Sequence, residues 1–265
     1  MIGRCLLLLL ISCESLAQTY IGPNYQAMGS TGTALEGIYS LTANPAGLVG
    51  VERPTASVNH QHHFFSNDVT TQAALLGVPT HLGSFGLALN RFGLKAAYND
   101  LKASFSFAKR LGPQLALGLS TSYHQLHIPS YINVSALSVD VGMQYRFPKG
   151  IMIGMQYTNV GKATYRQAVY GTIPAYVKAG ISYPWPQVVV AAEMEYRLTH
   201  HALDGHFGVE YTIADLLSLR GGVSVNPLQQ HAGFGLRWQH FILDAAATFH
   251  PRLGTTPQIG LSYAF

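Results

Sequence analysis

Residues 137–147 read LSVDVGMQYRF, with an apolar residue at every odd position and a small or polar residue at every even one. Successive side chains of a strand point to opposite faces, so this period of two predicts a β-strand whose faces meet different surroundings. The same alternation recurs in residues 101–107 (LKASFSF), 207–213 (FGVEYTI) and 259–265 (IGLSYAF). We therefore expect strands from about residue 53 to residue 265.

Fourteen such strands fit between the turn signals of the sequence. Most have about ten residues or more, the length that a tilted transmembrane strand needs, and an even number is typical of bacterial outer-membrane barrels. Short connections are expected after even-numbered strands and longer ones after odd-numbered strands, with residues 161–172 as the longest. The predicted spans are 53–65, 69–79, 83–92, 99–110, 114–127, 134–148, 151–160, 173–184, 188–198, 204–213, 216–226, 230–239, 241–250 and 256–265.

The composition of the 265-residue chain distinguishes a membrane barrel from soluble, disordered and helical membrane proteins. Of its residues 48% are hydrophobic and 11% are charged, whereas soluble domains carry ~25% charged residues. The apolar and aromatic content excludes disorder, and beyond the N-terminus no apolar run approaches the ~18 residues of a membrane-spanning helix. A soluble sandwich would show more charge on its polar face. Since strands in a bilayer must close, the sequence predicts an all-β, 14-stranded antiparallel transmembrane β-barrel.

Residues 1–17 are predicted to be an export signal. Arg4 supplies the positive start, residues 5–11 the apolar stretch, and small residues precede a cleavage site after Ala17. A lipoprotein signal using Cys13 and a buried N-terminal helix are the alternatives. Cleavage after Ala17 removes both cysteines, which excludes disulfides and thiolate metal sites from the mature chain. The formal net charge of +4 is too small to indicate a nucleic-acid partner.

Residues 18–52 precede the predicted barrel (residues 53–265) and are rich in Gly, Thr, Ala and Asn. They are too apolar for a solvated tail and too irregular for a strand, so we predict a hatch in the barrel lumen, with a periplasmic tail as the alternative. A Pro and a Gly predict a tight turn in which the chain leaves the lumen for the first strand, although an ordinary loop turn has the same signals. The hatch turn comprises Asn44, Pro45, Ala46 and Gly47.

Charged residues recur at the parity opposite to the apolar one and are predicted to face the lumen. Charges in a lumen persist only when they are paired or hydrated. The set therefore predicts a lattice of ion pairs that stiffens and closes the barrel, or alternatively a polar path for a small solute. This charge lattice comprises Lys102, Arg146, Lys178, Arg197, Arg220 and Arg237 with Asp140, Glu193, Glu195, Glu210 and Asp244.

Metal and catalytic chemistry find little support in the sequence. The histidine clusters lack a nearby cysteine or a clearly placed carboxylate, so we interpret them as interfacial or loop residues rather than metal ligands. Ser122 and His124 share a strand face, but no third group completes a triad, and nucleotide-binding loops are absent. We expect no enzyme activity, cofactor or metal. The clustered histidines are His60, His62 and His63, and His200, His201 and His206.

Several stretches resemble known outer-membrane barrels over nearly the whole mature chain. Residues 29–34 (GSTGTA) and 41–48 (LTANPAGL) resemble the N-terminal hatch of FadL-type barrels. Other stretches resemble the PorV/PorQ branch of that superfamily, although this chain is shorter than expected of it and its predicted outer loops are compressed. These stretches are residues 98–100 (YND), 108–112 (AKRLG), 159–161 (NVG), 173–174 (IP), 208–211 (GVEY), 219–222 (LRGG), 232–236 (AGFGL), 243–246 (LDAA) and 253–254 (LG).

The PorV/PorQ resemblance implies an accessory protein of type IX secretion or surface presentation in the outer membrane of a Gram-negative bacterium. Its partners would be outer-membrane lipid and secretion-system proteins or exported cargo. The wider FadL resemblance implies the alternative function, passive uptake of a hydrophobic small molecule past the hatch. FadL-like uptake favours an apolar pocket in the lumen and a break in a wall strand.

Overall fold

The structure, a computed structural model, describes residues 20–66, 68–94, 97–165, 172–199 and 201–265. The predicted signal sequence and His200 lie outside these residues. Fourteen antiparallel strands form one closed barrel, in which each strand pairs with its sequence neighbours and the first strand pairs with the last. The predicted closed 14-stranded antiparallel barrel is confirmed.

The strand boundaries differ from the predicted ones by three residues or fewer. A five-residue helix and two 3-10 helices precede the first strand, and two further 3-10 turns lie in connections. The helix is α1 (Pro23–Ala27), and the 3-10 segments are Ile38–Thr42, Pro45–Gly50, His63–Phe65 and Pro148–Gly150. The strands are β1 (Thr55–His62), β2 (Val69–Thr80), β3 (Gly83–Leu94), β4 (Tyr98–Leu111), β5 (Leu115–Ile128), β6 (Ile132–Arg146), β7 (Met152–Thr158), β8 (Tyr176–Pro184), β9 (Val188–Arg197), β10 (Ala202–Ile213), β11 (Leu217–Ser224), β12 (Gln229–Trp238), β13 (Phe241–His250) and β14 (Gly254–Ala264).

The connections divide between the two ends of the barrel. Even-to-odd connections lie at the end where β1 begins and β14 ends, and they are short, as predicted. Of the longer connections expected at the other end, the main one is residues 159–175 between β7 and β8, and residues 129–131 make a tight turn instead. We call these the terminal end and the loop end.

The two faces of the barrel wall differ as the alternation predicts. In β6, Val139, Val141 and Met143 are exposed on the outside, whereas Ser138 and Asp140 are buried inside. The outward residues of the other strands are likewise mostly large and apolar. No helix among the described residues is long and apolar enough to cross a membrane.

We predict that the alternation of β6 can be read directly by spin labelling. The sequence has no cysteine after residue 13, so single cysteines can be introduced freely. In detergent micelles, labels at the outward Leu137, Val139 and Val141 should collide with dissolved oxygen several-fold more often than labels at the inward Ala136 and Ser138. Equal collision rates at both sets would contradict the orientation of this wall.

Candidate functional site

Residues 20–51, which we call the N-terminal segment, lie inside the barrel. Inward side chains from well-separated strands hydrogen-bond to its backbone. Gln258 of β14 donates to the Ile21 carbonyl at 2.9 Å, and Ser182 of β8 donates to the Ala34 carbonyl at 2.7 Å. Gln144 of β6 donates to the Thr33 and Leu35 carbonyls. Partners on several sides of a closed barrel place this segment across the lumen.

A ring of glycines makes room for the N-terminal segment. A Cβ atom built at each of these inward positions would lie within 3.0 Å of an atom of the segment, which real Cβ atoms essentially never do. Only glycine therefore lets the wall and the segment approach so closely. This glycine ring comprises Gly86, Gly118, Gly142, Gly154, Gly208, Gly222, Gly233 and Gly260, on eight different strands.

The N-terminal segment also packs an apolar core against one side of the wall. Its apolar residues contact Leu75 of β2, Ala88 of β3 and Ala108 of β4, all of them buried. The rings of two of its tyrosines meet edge to face, with their centroids 6.1 Å apart. The segment contributes Ile21, Tyr25, Tyr39, Leu41, Leu48 and Val51 to this core.

Asn44 organises the predicted hatch turn. Its buried side chain donates from Nδ2 to the Thr33 carbonyl at 2.8 Å, with the Met143 and Met155 carbonyls of the wall at 3.1 and 3.2 Å. Its Oδ1 accepts from the Ala46 amide at 3.0 Å and so caps the 3-10 helix Pro45–Gly50. One amide side chain thus joins the turn to two wall strands.

The position of the turn differs from the one expected. We expected the chain to leave the lumen here, but the turn packs on Gly118 of β5 and Gly142 of β6, away from the first strand. Leu48 and Val51 then approach Gly77 of β2 before β1 begins. Because the 3-10 helix follows the turn, the chain runs along the inner wall before it enters β1.

The charge lattice is assembled on the side of the lumen formed by β8, β9 and β10. Lys178 Nζ lies 3.1 Å from Glu193 Oε1 and 2.9 Å from Glu195 Oε2. Arg197 Nε lies 2.7 Å from Glu195 Oε1, and its Nη2 lies 3.5 Å from Oδ2 of Asp204. These ion pairs are largely buried, so removal of one member would leave an uncompensated charge.

A second group of ion pairs extends to β13. Arg220 pairs with Glu210 and, through Nη1 at 2.6 Å, with Asp244 Oδ1. The hydroxyl of Tyr39 donates to the other oxygen of Asp244 at 3.1 Å. Burial, and then the Asp244 carboxylate, raise the pKa of Tyr39 above its ordinary value, so its hydroxyl stays protonated as a donor.

The lattice holds the N-terminal segment as well as the wall. Glu193 Oε2 accepts hydrogen bonds from the Gly32 amide at 2.9 Å and the Thr33 amide at 2.8 Å. The Nδ1 atom of His206 lies 2.8 Å from the Gly29 carbonyl oxygen. The lattice therefore stabilises backbone groups that have no strand to pair with.

Not every predicted member joins this network. Lys102 lies 3.7 Å from Asp140 on the opposite side of the lumen, and Arg146 pairs with Glu36 of the N-terminal segment. The expectation for Arg237 is not met, because it is exposed near the end of β12 and forms no ion pair with the residues described.

Sequence reasoning also missed three charged residues, which are Asp204, Glu36 and Arg110. Asp204, which pairs with Arg197, has the same inward parity as Glu210 on β10, and this parity was the available signal. Glu36 pairs with Arg110 and Arg146, across the gap between the segment and the wall. The irregular segment has no periodic pattern from which such a partner could be predicted.

The histidine and serine candidates form local hydrogen bonds. Ser122 bonds to Ser104 at 2.8 Å, while His124 bonds to Ser138 at 2.8 Å, so the two candidates are not paired with each other. Among residues that the structure describes, no group of three His, Cys, Asp or Glu side chains is arranged to hold a metal ion.

An apolar cluster lies at the loop end of the lumen. Tyr165 and Ile173, from the connection between β7 and β8, pack on the buried Leu126 of β5. Asn159 supports this connection, because its Nδ2 donates to the Ala163 and Ile173 carbonyls at 3.1 Å. We call it the mouth cluster; it is completed by Tyr98, Val134, Ala136 and Ala163.

We predict that a methyl group on the glycine ring displaces the N-terminal segment. In Gly222→Ala the new Cβ meets the backbone of Met28 and Gly29, so the free energy of unfolding in detergent should fall by ~1–3 kcal/mol. Amide hydrogen exchange should also rise in the segment.

The neighbouring variant Gly221→Ala is the matched control. Its Cβ would point outward, with its nearest neighbour, the His231 carbonyl oxygen, 4.0 Å away. Its unfolding free energy should change by less than ~0.5 kcal/mol. Equal effects of the two substitutions would show that the segment does not press against the wall at Gly222.

Comparison with known proteins supports the fold. No protein-family model and no curated protein matches the chain. The CymD monoaromatic hydrocarbon channel has 16% identity and a TM-score of 0.66, covering 92% of this chain and 97% of that one. The Pseudomonas putida toluene transporter TodX has 13% identity and a TM-score of 0.69, covering 91% and 96%. A Pseudomonas aeruginosa FadL homologue has 12% identity and a TM-score of 0.66, covering 92% and 98%.

Proposed function

We propose that this protein is an outer-membrane β-barrel of a Gram-negative bacterium that lets a small hydrophobic molecule pass by FadL-like passive transport. The exposed apolar outer wall suits contact with outer-membrane lipid. The structures similar in fold include two monoaromatic hydrocarbon channels, TodX and CymD. In this proposal the N-terminal segment acts as the hatch.

The observation that carries the proposal is the placement of the N-terminal segment across the lumen, below an apolar mouth. A solute would first contact the mouth cluster, where Tyr165 and Ile173 meet Leu126. It would then reach the segment, which is held by side-chain contacts rather than by strand pairing. Such contacts can break without opening the barrel wall.

The route that we propose runs through the lumen. FadL-like uptake favours a break in a wall strand, but β2 and β3 pair without interruption from Val69 and Leu94 to Thr80 and Gly83. FadL-like uptake also favours an apolar pocket in the lumen, whereas the sequence predicts charged and small residues there. The inward hydroxyl groups bond to one another, as Ser104 does to Ser122. Because these groups are already satisfied, an apolar solute that passes them leaves no hydrogen bond unmade.

An accessory role in secretion, the function implied by the PorV/PorQ resemblance, has less support. That role requires a surface that grips a protein partner. The connections at the loop end are short apart from residues 159–175. The structures of similar fold are named as channels and transporters rather than secretion components.

We predict that deletion of residues 18–47 leaves a folded barrel with a larger single-channel conductance in planar bilayers. The deletion removes the segment from the lumen and exposes the space within the glycine ring. The control carries the same deletion with Glu195→Gln and Arg220→Gln. A conductance that rises only in this control would show that the charge lattice alone closes the lumen.

We also predict that locking the N-terminal segment blocks uptake. The side chains of Gln26 and Thr248 are hydrogen-bonded, so Gln26→Cys with Thr248→Cys places two thiols close enough for a short crosslinker to bridge. Cells that rely on this protein should take up labelled toluene at least tenfold more slowly when a short bis-methanethiosulfonate joins the cysteines through two disulfides, releasing methanesulfinate. Uptake should recover once the crosslink is cleaved.

The single variant Gln26→Cys, treated with the same reagent, is the control and should transport normally. Uptake that is unaffected by the crosslink would overturn a route in which the segment leaves β13, and would restrict passage to the side toward β2, β3 and β4. A deletion strain with normal toluene uptake that loses exported proteins from its surface would favour the accessory role.

A further inference from the structure

A groove of about 420 Å³ lies on the outer face of the barrel across β1 to β4. Its floor lies at Ala74, because this small side chain sits between the larger Val58 and Leu89 in one cross-strand row. Val58 is 61% exposed and Leu89 53% exposed, so both project as the sides of the groove. Leu101 of β4, which pairs in register with Arg91 in the neighbouring row, also lines the groove.

The row next to it toward the loop end is polar. His60 pairs in register with Gln72, and Gln72 pairs with Arg91, so that three polar side chains lie side by side on the outer face. The Nε2 atoms of His60 and His62 lie 2.9 Å apart, which brings a second imidazole to the same place. Such residues interrupt an otherwise apolar wall.

Arg91 carries the permanent positive charge of this row. Its Nε donates to Asn99 Oδ1 at 2.8 Å, which orients the guanidinium on the outer surface. Within the described parts of the chain, Arg91 has no carboxylate partner at ion-pair distance. The guanidinium thus keeps donors available for an anion, and planar guanidinium groups bind phosphate oxygens well.

We propose that this groove binds a phosphate-bearing membrane lipid, with its phosphate at Arg91 and His60 and one acyl chain between Val58 and Leu89. The polar row lies toward the loop end and the apolar groove toward the middle of the strands. An amphipathic molecule with an anionic head fits this order, and a lipid of the leaflet at the loop end has its head at that level. The inference rests on the proposed location of the barrel in a membrane.

The test is native mass spectrometry of the full mature chain in detergent micelles, titrated with phosphatidylglycerol. One lipid should remain bound, and Arg91→Gln should weaken its binding roughly tenfold, the size expected when a charge-assisted hydrogen bond is lost. Leu89→Trp, which fills the groove, should weaken it as well. Lys109→Gln removes another exposed cation, near the terminal end of β4, and should leave the binding unchanged.

Three outcomes would overturn the proposal. They are equal losses for Arg91→Gln and Lys109→Gln, displacement of the lipid by millimolar inorganic phosphate, and a second copy of the chain bound in place of the lipid. Lipid binding is measured on purified protein, so a failure to bind lipid does not affect the interpretation of the toluene uptake experiment. A lack of transport would conversely leave the lipid titration interpretable.

Discussion

The backbone of the N-terminal segment has to find hydrogen-bond partners inside a closed barrel, and this constraint shapes the interior. The backbone groups of the strands are already hydrogen-bonded to neighbouring strands of the closed wall. The irregular segment therefore depends on inward side chains for its hydrogen bonds. Glu193, Gln144 and Asn44 satisfy amide and carbonyl groups that would otherwise be buried without a partner. A buried unsatisfied group costs about 1–3 kcal/mol, which explains why the inward face is polar although it is enclosed.

The same constraint explains why the charge lattice lies mainly on one side. Glu193 can accept two backbone amides because Lys178 compensates its charge, and Asp244 accepts from Tyr39 while it is paired with Arg220. A carboxylate without its cation would be too costly to bury at these positions. The ion pairs therefore keep strong acceptors available to the segment.

Period-two alternation was sufficient to predict the barrel, its strand number and the inward parity of Lys178, Glu193 and Arg220. It failed where the backbone is irregular. The position of Asn44 against β5 and β6 depends on contacts far away in the sequence, and so does the pairing of Glu36 with Arg146. The glycine ring was visible as single glycines on many strands, but its meaning requires the segment that the glycines face.

The two sides of the N-terminal segment differ in how easily they can separate from the wall. Toward β9 and β13 the segment is held by hydrogen bonds to buried carboxylates, whereas toward β2, β3 and β4 it packs mainly through apolar side chains such as Leu41 and Leu48. The ion pair of Glu36 with Arg110 is a polar contact on that side, at the end of β4. Exposing apolar surface costs about 25 cal/mol per Å² in water, but little when an apolar solute replaces the wall. The side toward β2, β3 and β4 is therefore where a hydrophobic molecule can itself stabilise the displaced segment. In the transport that we propose, a polar solute would gain nothing there, which is a physical reason to favour a hydrophobic one.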